Sequence, residues 1–365
     1  MTDSVAAMSA SGRTRGDETA LLTLARTGDE GAFSELVEVH RAGLRAHCYR
    51  MLGSVHDAED ALQEAMLRAW RNLSGFEGRS SVRSWLYAIA TNTALDIGRH
   101  RSRRELPVSF GPAAGLGDEP AAPHPDALWL EPFPDRWLTA AAGSSPEARY
   151  EQRESVELAF VIALQQLPPL QRAVLILRDV MAFSAAEISS QLGTSVPSVN
   201  SALQRARAAL HHGLPGRTQQ STLRDLGDQR VKAMAQRYAD AIERGDADTL
   251  LSMLTEDATW SMPPVPTWFL GQESVRQFLT RYPLTERWKH LPCYANGQLA
   301  VACYLFDHGT GTYTPAVIDV LTLVQEKIAA VTGFQVLGGQ EGRDAGERIT
   351  PAEIFARFGL PAELP

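Results

Sequence analysis

Residues 183–210 carry the densest set of side chains able to read a nucleic acid. Ser198, Asn200, Ser201, Gln204, Arg205 and Arg207 fall on one side of a helical projection, and Val199, Ala202 and Leu203 fall on the other. Short hydroxyl and amide groups donate and accept at base edges, while guanidinium groups grip guanine or phosphate. The elements that would present them are legible nearby. A helix with Ile188 and Leu192 inside ends at Gly193, which tolerates the positive φ of a helix C-terminus. Ser195 then caps a second helix whose first turn accepts Pro197. This is the spacing of a helix-turn-helix, whose second helix enters the major groove. An ordinary helical corner with a solvated polar face has the same pattern.

A second cationic group lies upstream. Arg79, Arg83, Arg99, Arg101, Arg103 and Arg104 stand against a single acid, Asp96, with Phe76, Trp85 and Tyr87 interleaved and Asn92 on the same helix. Cations that follow phosphates beside rings that stack on bases suit single-stranded or melted DNA. A solvated helix end with core aromatics is the plainer account. Just before this group, Asp57-Ala-Glu-Asp-Ala-Leu-Gln-Glu64 places four carboxylates at a helix start, where the dipole favours them. Nothing predicts their burial, so a catalytic carboxylate pair is not indicated. An acidic helix that docks a basic partner surface is the functional alternative.

The chain has 365 residues, enough for two or three domains. A formal net charge of −8 means that any contact with nucleic acid must come from local patches. The longest unbroken apolar run, residues 299–306, is far short of a membrane span, and the first residues lack the apolar core of a secretory signal. Three cysteines without metal-ligand spacing agree with a reducing compartment. The expectation is therefore a cytoplasmic protein with no membrane partner, no metal and no cofactor.

Helical periodicity fills residues 18–104 and 147–210. Between them, residues 107–146 contain eight prolines and five acids against one arginine, which predicts an extended acidic linker with little core. Trp129, Phe133 and Trp137 are unusual for a spacer. After a polar gap near residues 213–223, helices lead into β-type runs, and Asn296-Gly297 reads as a two-residue hairpin turn that sets Cys293 opposite Ala300.

Taken in order, Asp57-Ala-Glu-Asp-Ala-Leu-Gln-Glu64, Trp85-Leu-Tyr-Ala-Ile-Ala-Thr-Asn-Thr-Ala-Leu-Asp96, Leu167-Pro-Pro-Leu-Gln-Arg-Ala-Val-Leu175 and the helix-turn-helix resemble the extracytoplasmic-function (ECF) sigma factors of bacterial RNA polymerase. The resemblance covers residues 18–105 and 147–212. It implies two all-α sigma domains joined by the Pro-rich linker, with a disordered stretch at 1–17. Sigma domain 2 (18–105) would bind the β′ clamp of core polymerase through Asp57, Glu59, Asp60, Gln63 and Glu64. It would bind the −10 element through Phe76, Arg79, Arg83, Tyr87, Asn92, Arg99, Arg101 and Arg103. Sigma domain 4 (147–213) would read the −35 element through Ser198, Asn200, Ser201, Gln204, Arg205 and Arg207. The linker (106–146) would run toward the polymerase active centre. Many members carry Lys or Arg where this chain has Asn200, and Arg where it has Ala202, so no particular −35 sequence transfers.

After a short linker (214–227), residues 228–340 resemble a SnoaL-like domain of the nuclear transport factor 2 type, an α+β cone, followed by a C-terminal extension (341–365) with a short helix. Enzymes share this fold and use pocket Asp or His residues; Asp257, Asp307, His308 and Asp319 are the candidates, and Asp257, Trp260, Met262 and Trp288 would line a tail pocket. Fold alone does not confer chemistry. The favoured reading is a sigma factor, not an enzyme, whose tail modulates activity and whose small-molecule ligand, if any, is unknown. The alternatives are a helix-turn-helix regulator with a ligand-sensing tail and a SnoaL-type cyclase or isomerase.

Overall fold

The computed structural model describes residues 15–99, 103–124, 128–138, 152–211, 214–336 and 349–365. The chain divides into two bodies. The first comprises Met1–Ser102, Trp137–Ser155 and Ala163–Gly213, the second Arg103–Arg136, Val156–Ile162 and Leu214–Pro365.

The first body begins with α1 (Arg15–Arg26), α2 (Glu30–Leu52), α3 (Val55–Asn72) and α4 (Val82–Gly98). Each of the last three starts at a side-chain cap: Asp29 accepts from the Ala32 amide, Ser54 from Asp57 and Ser81 from Ser84. Gly53, at φ +68°, ends α2 in the left-handed conformation that only glycine adopts freely. The inward face of α3 is Ala58, Ala61, Leu62, Ala65 and Ala69, small enough for close helix packing. Between α2 and α4, His47 Nε2 meets Thr91 Oγ1 at 2.8 Å, and burial depresses the His47 pKa to about 3, so the ring stays neutral.

The same body contains α6 (Pro169–Leu175), which continues into a π-helical turn to Val180, then α7 (Ala185–Gln191) and α8 (Val196–His211); α5 (Leu158–Gln165) precedes them. A reciprocal capping box of Ser184 and Glu187 opens α7, and Gly193 turns the chain at φ +60°. Val199, Ala202, Leu203, Ala206 and Leu210 bury one side of α8.

The second body carries α9 (Gln219–Leu226), α10 (Asp228–Glu243), α11 (Ala247–Met253), β1 (Leu254–Ser261), β2 (Trp268–Leu270), α12 (Gln272–Arg281), β3 (Trp288–Ala295), β4 (Gln298–Asp307), β5 (Thr312–Val324), β6 (Lys327–Gln335) and α13 (Pro351–Arg357). The six strands form one sheet in the order β2-β1-β6-β5-β4-β3, antiparallel except for β1 beside β6. The β3–β4 turn is Asn296-Gly297 with both residues at positive φ, and Cys293 pairs with Ala300.

The expected extended linker takes a different form. Residues 105–130 make a closed loop: Glu105 N donates to Leu128 O and Leu130 N to Glu105 O, both at 3.0 Å, and Arg104 Nη1 donates to Trp129 O at 2.7 Å. Within the loop, Ala114 N donates to Trp268 O at 2.9 Å and Trp268 Nε1 returns a bond to Gly111 O at 2.8 Å. Farther along, Leu130 and Phe133 are fully buried, a burial worth about 2–3 kcal/mol for each such side chain. Proline and acid content pointed to a solvated strand, yet Leu106, Trp129, Leu130 and Phe133 supply enough apolar surface to fold the segment onto the tail domain. The short linker predicted at 214–227 likewise contains α9, whose Gln219 and Gln220 are buried.

Candidate nucleic-acid interface

On α8, Ser198, Asn200, Ser201, Gln204, Arg205 and Arg207 are all exposed, on the side opposite the buried apolar row. Two of them are pre-oriented: Arg205 Nη1 donates to Ser201 Oγ at 2.7 Å, and Ser198 Oγ lies 2.9 Å from Ser195 Oγ. Arg207 is already paired, with Nε 2.9 Å and Nη2 2.6 Å from the Asp179 carboxylate, which raises its pKa. That bidentate pair makes Arg207 a less available phosphate contact than an unpaired guanidinium would be.

The −10 set is only partly brought together. Arg83 and Asn92 are exposed on α4, and Arg79 and Arg99 are exposed at its two ends, beside Glu77 at 2.9 Å and Asp96 at 3.3 Å. Phe76 departs from expectation. It is 6% exposed and packs on Trp85 with ring centroids 4.9 Å apart, so it holds the loop before α4 in place rather than offering a free stacking face. Tyr87 is buried as well. Arg103 falls in the second body, where its Nε donates to Glu105 Oε1 at 2.8 Å. Arg101 lies outside the described residues.

Sequence reasoning missed what covers α4. Arg83 Nη2 donates to Met181 O at 3.0 Å, Gln191 Nε2 to Ser84 Oγ at 2.9 Å and Asn92 Nδ2 to Gln191 O at 3.3 Å. The Phe183 ring lies beneath the Arg83 guanidinium and edge-on to Tyr87. No sequence pattern marks long-range contacts of this kind.

The acidic helix also needs correction. Asp57 is 1% exposed, because it occupies the capped first turn of α3 and its amide donates to Ser54 Oγ at 3.0 Å. The outward stripe is instead His56, Asp60, Gln63 and Leu67, with Glu59 and Glu64 half-buried at its margins. Glu64 is bonded by Arg68 at 2.7 Å, and Glu59 pairs with Arg45.

In the tail, the pocket residues do not converge on a cavity. Asp257 is exposed on β1, whereas Trp260 sits in the core and Met262 and Trp288 pack against it. Tyr238, Phe269, Phe278, Cys303 and Leu321 fill the space between helices and sheet. The buried acid is Asp319 on β5. Tyr238 Oη donates to its Oδ2 at 2.9 Å and Cys303 Sγ lies at 3.3 Å. Gly333 is required beside it, since a Cβ there would fall 2.7 Å from Asp319 Oδ1. Among the described residues no group of three or more His, Cys, Asp or Glu could hold a metal, and no helix is long and apolar enough to cross a membrane.

Burial raises the Asp319 pKa from 3.8 to about 6, with the two hydrogen bonds opposing the shift. A carboxyl raised in the folded state stabilises the fold below its unfolded pKa, and that contribution is lost as pH rises through about 4 to 6. Two units correspond to about 3 kcal/mol. Asp319→Asn should therefore match the native protein near pH 4 and exceed it by about 2–3 kcal/mol at pH 7.5, measured by denaturant melts across that range. A difference that does not vary with pH would remove Asp319 titration from the account.

Comparison with known proteins follows the same divisions. The Sigma-70 region 2 profile matches residues 36–104, the Sigma-70 region 4 profile residues 158–210 and the SnoaL-like domain profile residues 235–331. The chain is 38% identical over 339 residues to the ECF RNA polymerase sigma factor SigG of Mycobacterium tuberculosis, covering 92% of this chain and 85% of the relative. It is 32% identical to SigW, an ECF sigma factor of Bacillus subtilis, over 52% of this chain and 92% of SigW. In fold it is similar to the crystal structure of M. tuberculosis SigJ, with a TM-score of 0.51 at 22% identity, over 82% of this chain and 95% of that one.

Proposed function

The chain belongs to the ECF RNA polymerase sigma factors, and from that premise we propose how its surfaces divide the work of initiation. As a member it directs core polymerase to promoters for transcription initiation; it is not an enzyme, and a SnoaL-like domain follows its two sigma regions. The outward row of α8 reads the −35 element. Arg79, Arg83, Asn92 and Arg99, on α4 and its flanks, meet the melted −10 strand. The stripe of Asp60 and Gln63 on α3, with Glu59 and Glu64 beside it, docks on the β′ clamp. All of this takes place in the cytoplasm, where polymerase and promoter meet. The tail acts through the linker that it holds.

One observation carries this reading: along α8, every proposed base or phosphate contact is exposed while the alternating apolar residues are buried, so the helix offers one continuous polar face of groove-reading length. Holoenzyme binding to promoter duplexes tests it. Gln204→Ala should cost about 1–3 kcal/mol and relax preference at one base position. Arg207→Ala should weaken binding to all sequences alike, and only modestly, because Asp179 already holds the guanidinium. Equal, sequence-independent losses in both variants would mean that another face reads the DNA.

A further inference from the structure

A cleft of about 540 Å³ opens in the second body, between the linker loop and the start of α12. Ala114 and Leu116 of the loop line it, together with Leu270, Glu273 and Ser274 and with Glu256 of β1. The interior residues Tyr238, Trp260 and Asp319 do not, so the cleft is separate from the filled space between helices and sheet. Its loop wall is held by hydrogen bonds. Gly117 N donates to Gln277 Oε1 at 3.0 Å, Ala114 N to Trp268 O at 2.9 Å, and Gly115 N to Asp118 Oδ2 at 2.7 Å.

Three features of the lining call for a ligand. Leu116 is 65% exposed and Leu270 48%; an exposed leucine by itself is ordinary, but these two open onto one cleft. Ser274 is only 8% exposed, yet among the described residues its hydroxyl has no hydrogen-bond partner, and it lines the cleft. It stands in the first turn of α12, where no side chain caps the helix, so the first amides also lack partners within the helix. Finally, Glu256 and Glu273 are exposed and, among the described residues, neither is in an ion pair. Arg276, about one turn along α12 from Glu273, is already paired with Asp248 at 2.7 Å. Apolar walls with a few placed donors and charges are the make-up of a small-molecule site.

We propose that this cleft binds a small organic cation with an aliphatic body and a carbonyl-type oxygen, and that the bound molecule bridges the linker loop to the tail domain. The ammonium group answers Glu256 and Glu273, the aliphatic body lies on Leu116 and Leu270, and the oxygen accepts from Ser274. Because Leu116 belongs to the loop and Leu270 to the sheet, occupancy favours the docked loop over any other position of it. The proposal goes beyond the DNA and polymerase surfaces and does not depend on them.

Saturation-transfer NMR titration of the full-length chain with leucinamide, without DNA or polymerase, tests it at about pH 6.5, where the amine of the probe is protonated. Leucinamide should bind saturably, with a dissociation constant on the order of millimolar for so small a ligand. N-acetyl-leucinamide, which lacks the cation, and ethanolamine, which lacks the aliphatic body, should each bind about tenfold more weakly. Glu256→Gln/Glu273→Gln should weaken leucinamide about tenfold and leave N-acetyl-leucinamide unchanged, and Leu116→Ser should weaken both. All three positions are exposed, so these variants fold. Bound leucinamide should also slow amide hydrogen exchange in residues 111–118 several-fold. No saturable binding, equal binding of ethanolamine, or binding untouched by the glutamate and Leu116 variants would overturn the site. Saturable binding without added protection of residues 111–118 would overturn the bridge to the linker.

Discussion

Asn296→Ala destabilises the second body by about 3–5 kcal/mol, a large effect for one turn residue. The reason lies in what this fully buried side chain joins. Its Oδ1 accepts from Phe133 N at 2.8 Å, its Nδ2 donates to Val156 O at 2.8 Å, and its own amide donates to Phe133 O. One asparagine thus pins the end of the linker and the entry to α5 to the same hairpin turn. Around it, Gly297 N donates to Asp135 Oδ1 at 2.7 Å, Leu158 N to Gln298 Oε1 at 2.9 Å, and Gln220 Nε2 to Gly297 O. Truncation strands the Phe133 amide and the Val156 carbonyl in a dry site, each at about 1–3 kcal/mol. It also places alanine at φ +54°, where asparagine is tolerated. Asn296→Asp, which keeps the acceptor and loses the donor, should fall between native and alanine. Thermal melts should show a drop of about 10 °C for Asn296→Ala. A loss under 1 kcal/mol would mean that the clamp does not hold the linker. Removing the tail after Gly213 is a poorer probe, because it also strips the surface that covers Leu130 and Phe133.

Asp60→Arg/Gln63→Arg abolishes stable co-purification with core polymerase, an affinity loss on the order of 100-fold. Both positions are exposed on α3, so reversal puts two cations on the stripe proposed to meet a basic partner without disturbing the helix. Exposed charges contribute little to folding, and the helical circular dichroism signal should be unchanged. Asp57 must be left intact in this test. Burying an arginine where the structure allows 1% exposure would unfold the domain and mimic loss of binding. Native-level co-purification by a folded double variant would move the polymerase contact off α3.

Periodicity revealed most of the fold and a part of the site. The apolar rows of α2 and α8, the Gly193 turn and the Asn296-Gly297 hairpin were readable because each follows from spacing within a few residues. The inside or outside position of Asp57 was not, because Asp at a capped helix start is compatible with either until neighbouring helices close over it. Phe76 and Tyr87 misled for a related reason: aromatic residues at helical spacing serve packing and stacking equally well. The linker was the largest miss. Its prolines forbid a ladder of its own, yet its backbone bonds groups more than a hundred residues away in sequence: Phe133 N donates to Asn296 Oδ1 and Gly111 O accepts from Trp268 Nε1. In the tail, Asp257 and Asp319 were both legible as candidate acids, but spacing did not show that Asp319 is the buried one and Asp257 the exposed one.

Transcription in vitro by purified core polymerase on promoter fragments, with 5′ ends mapped, tests the central claim most directly. Full-length chain should produce discrete start sites that core alone does not. Those starts should disappear with Asp60→Arg/Gln63→Arg, and Gln204→Ala should change which upstream sequences support them. Identical transcripts with and without saturating native chain would contradict the account.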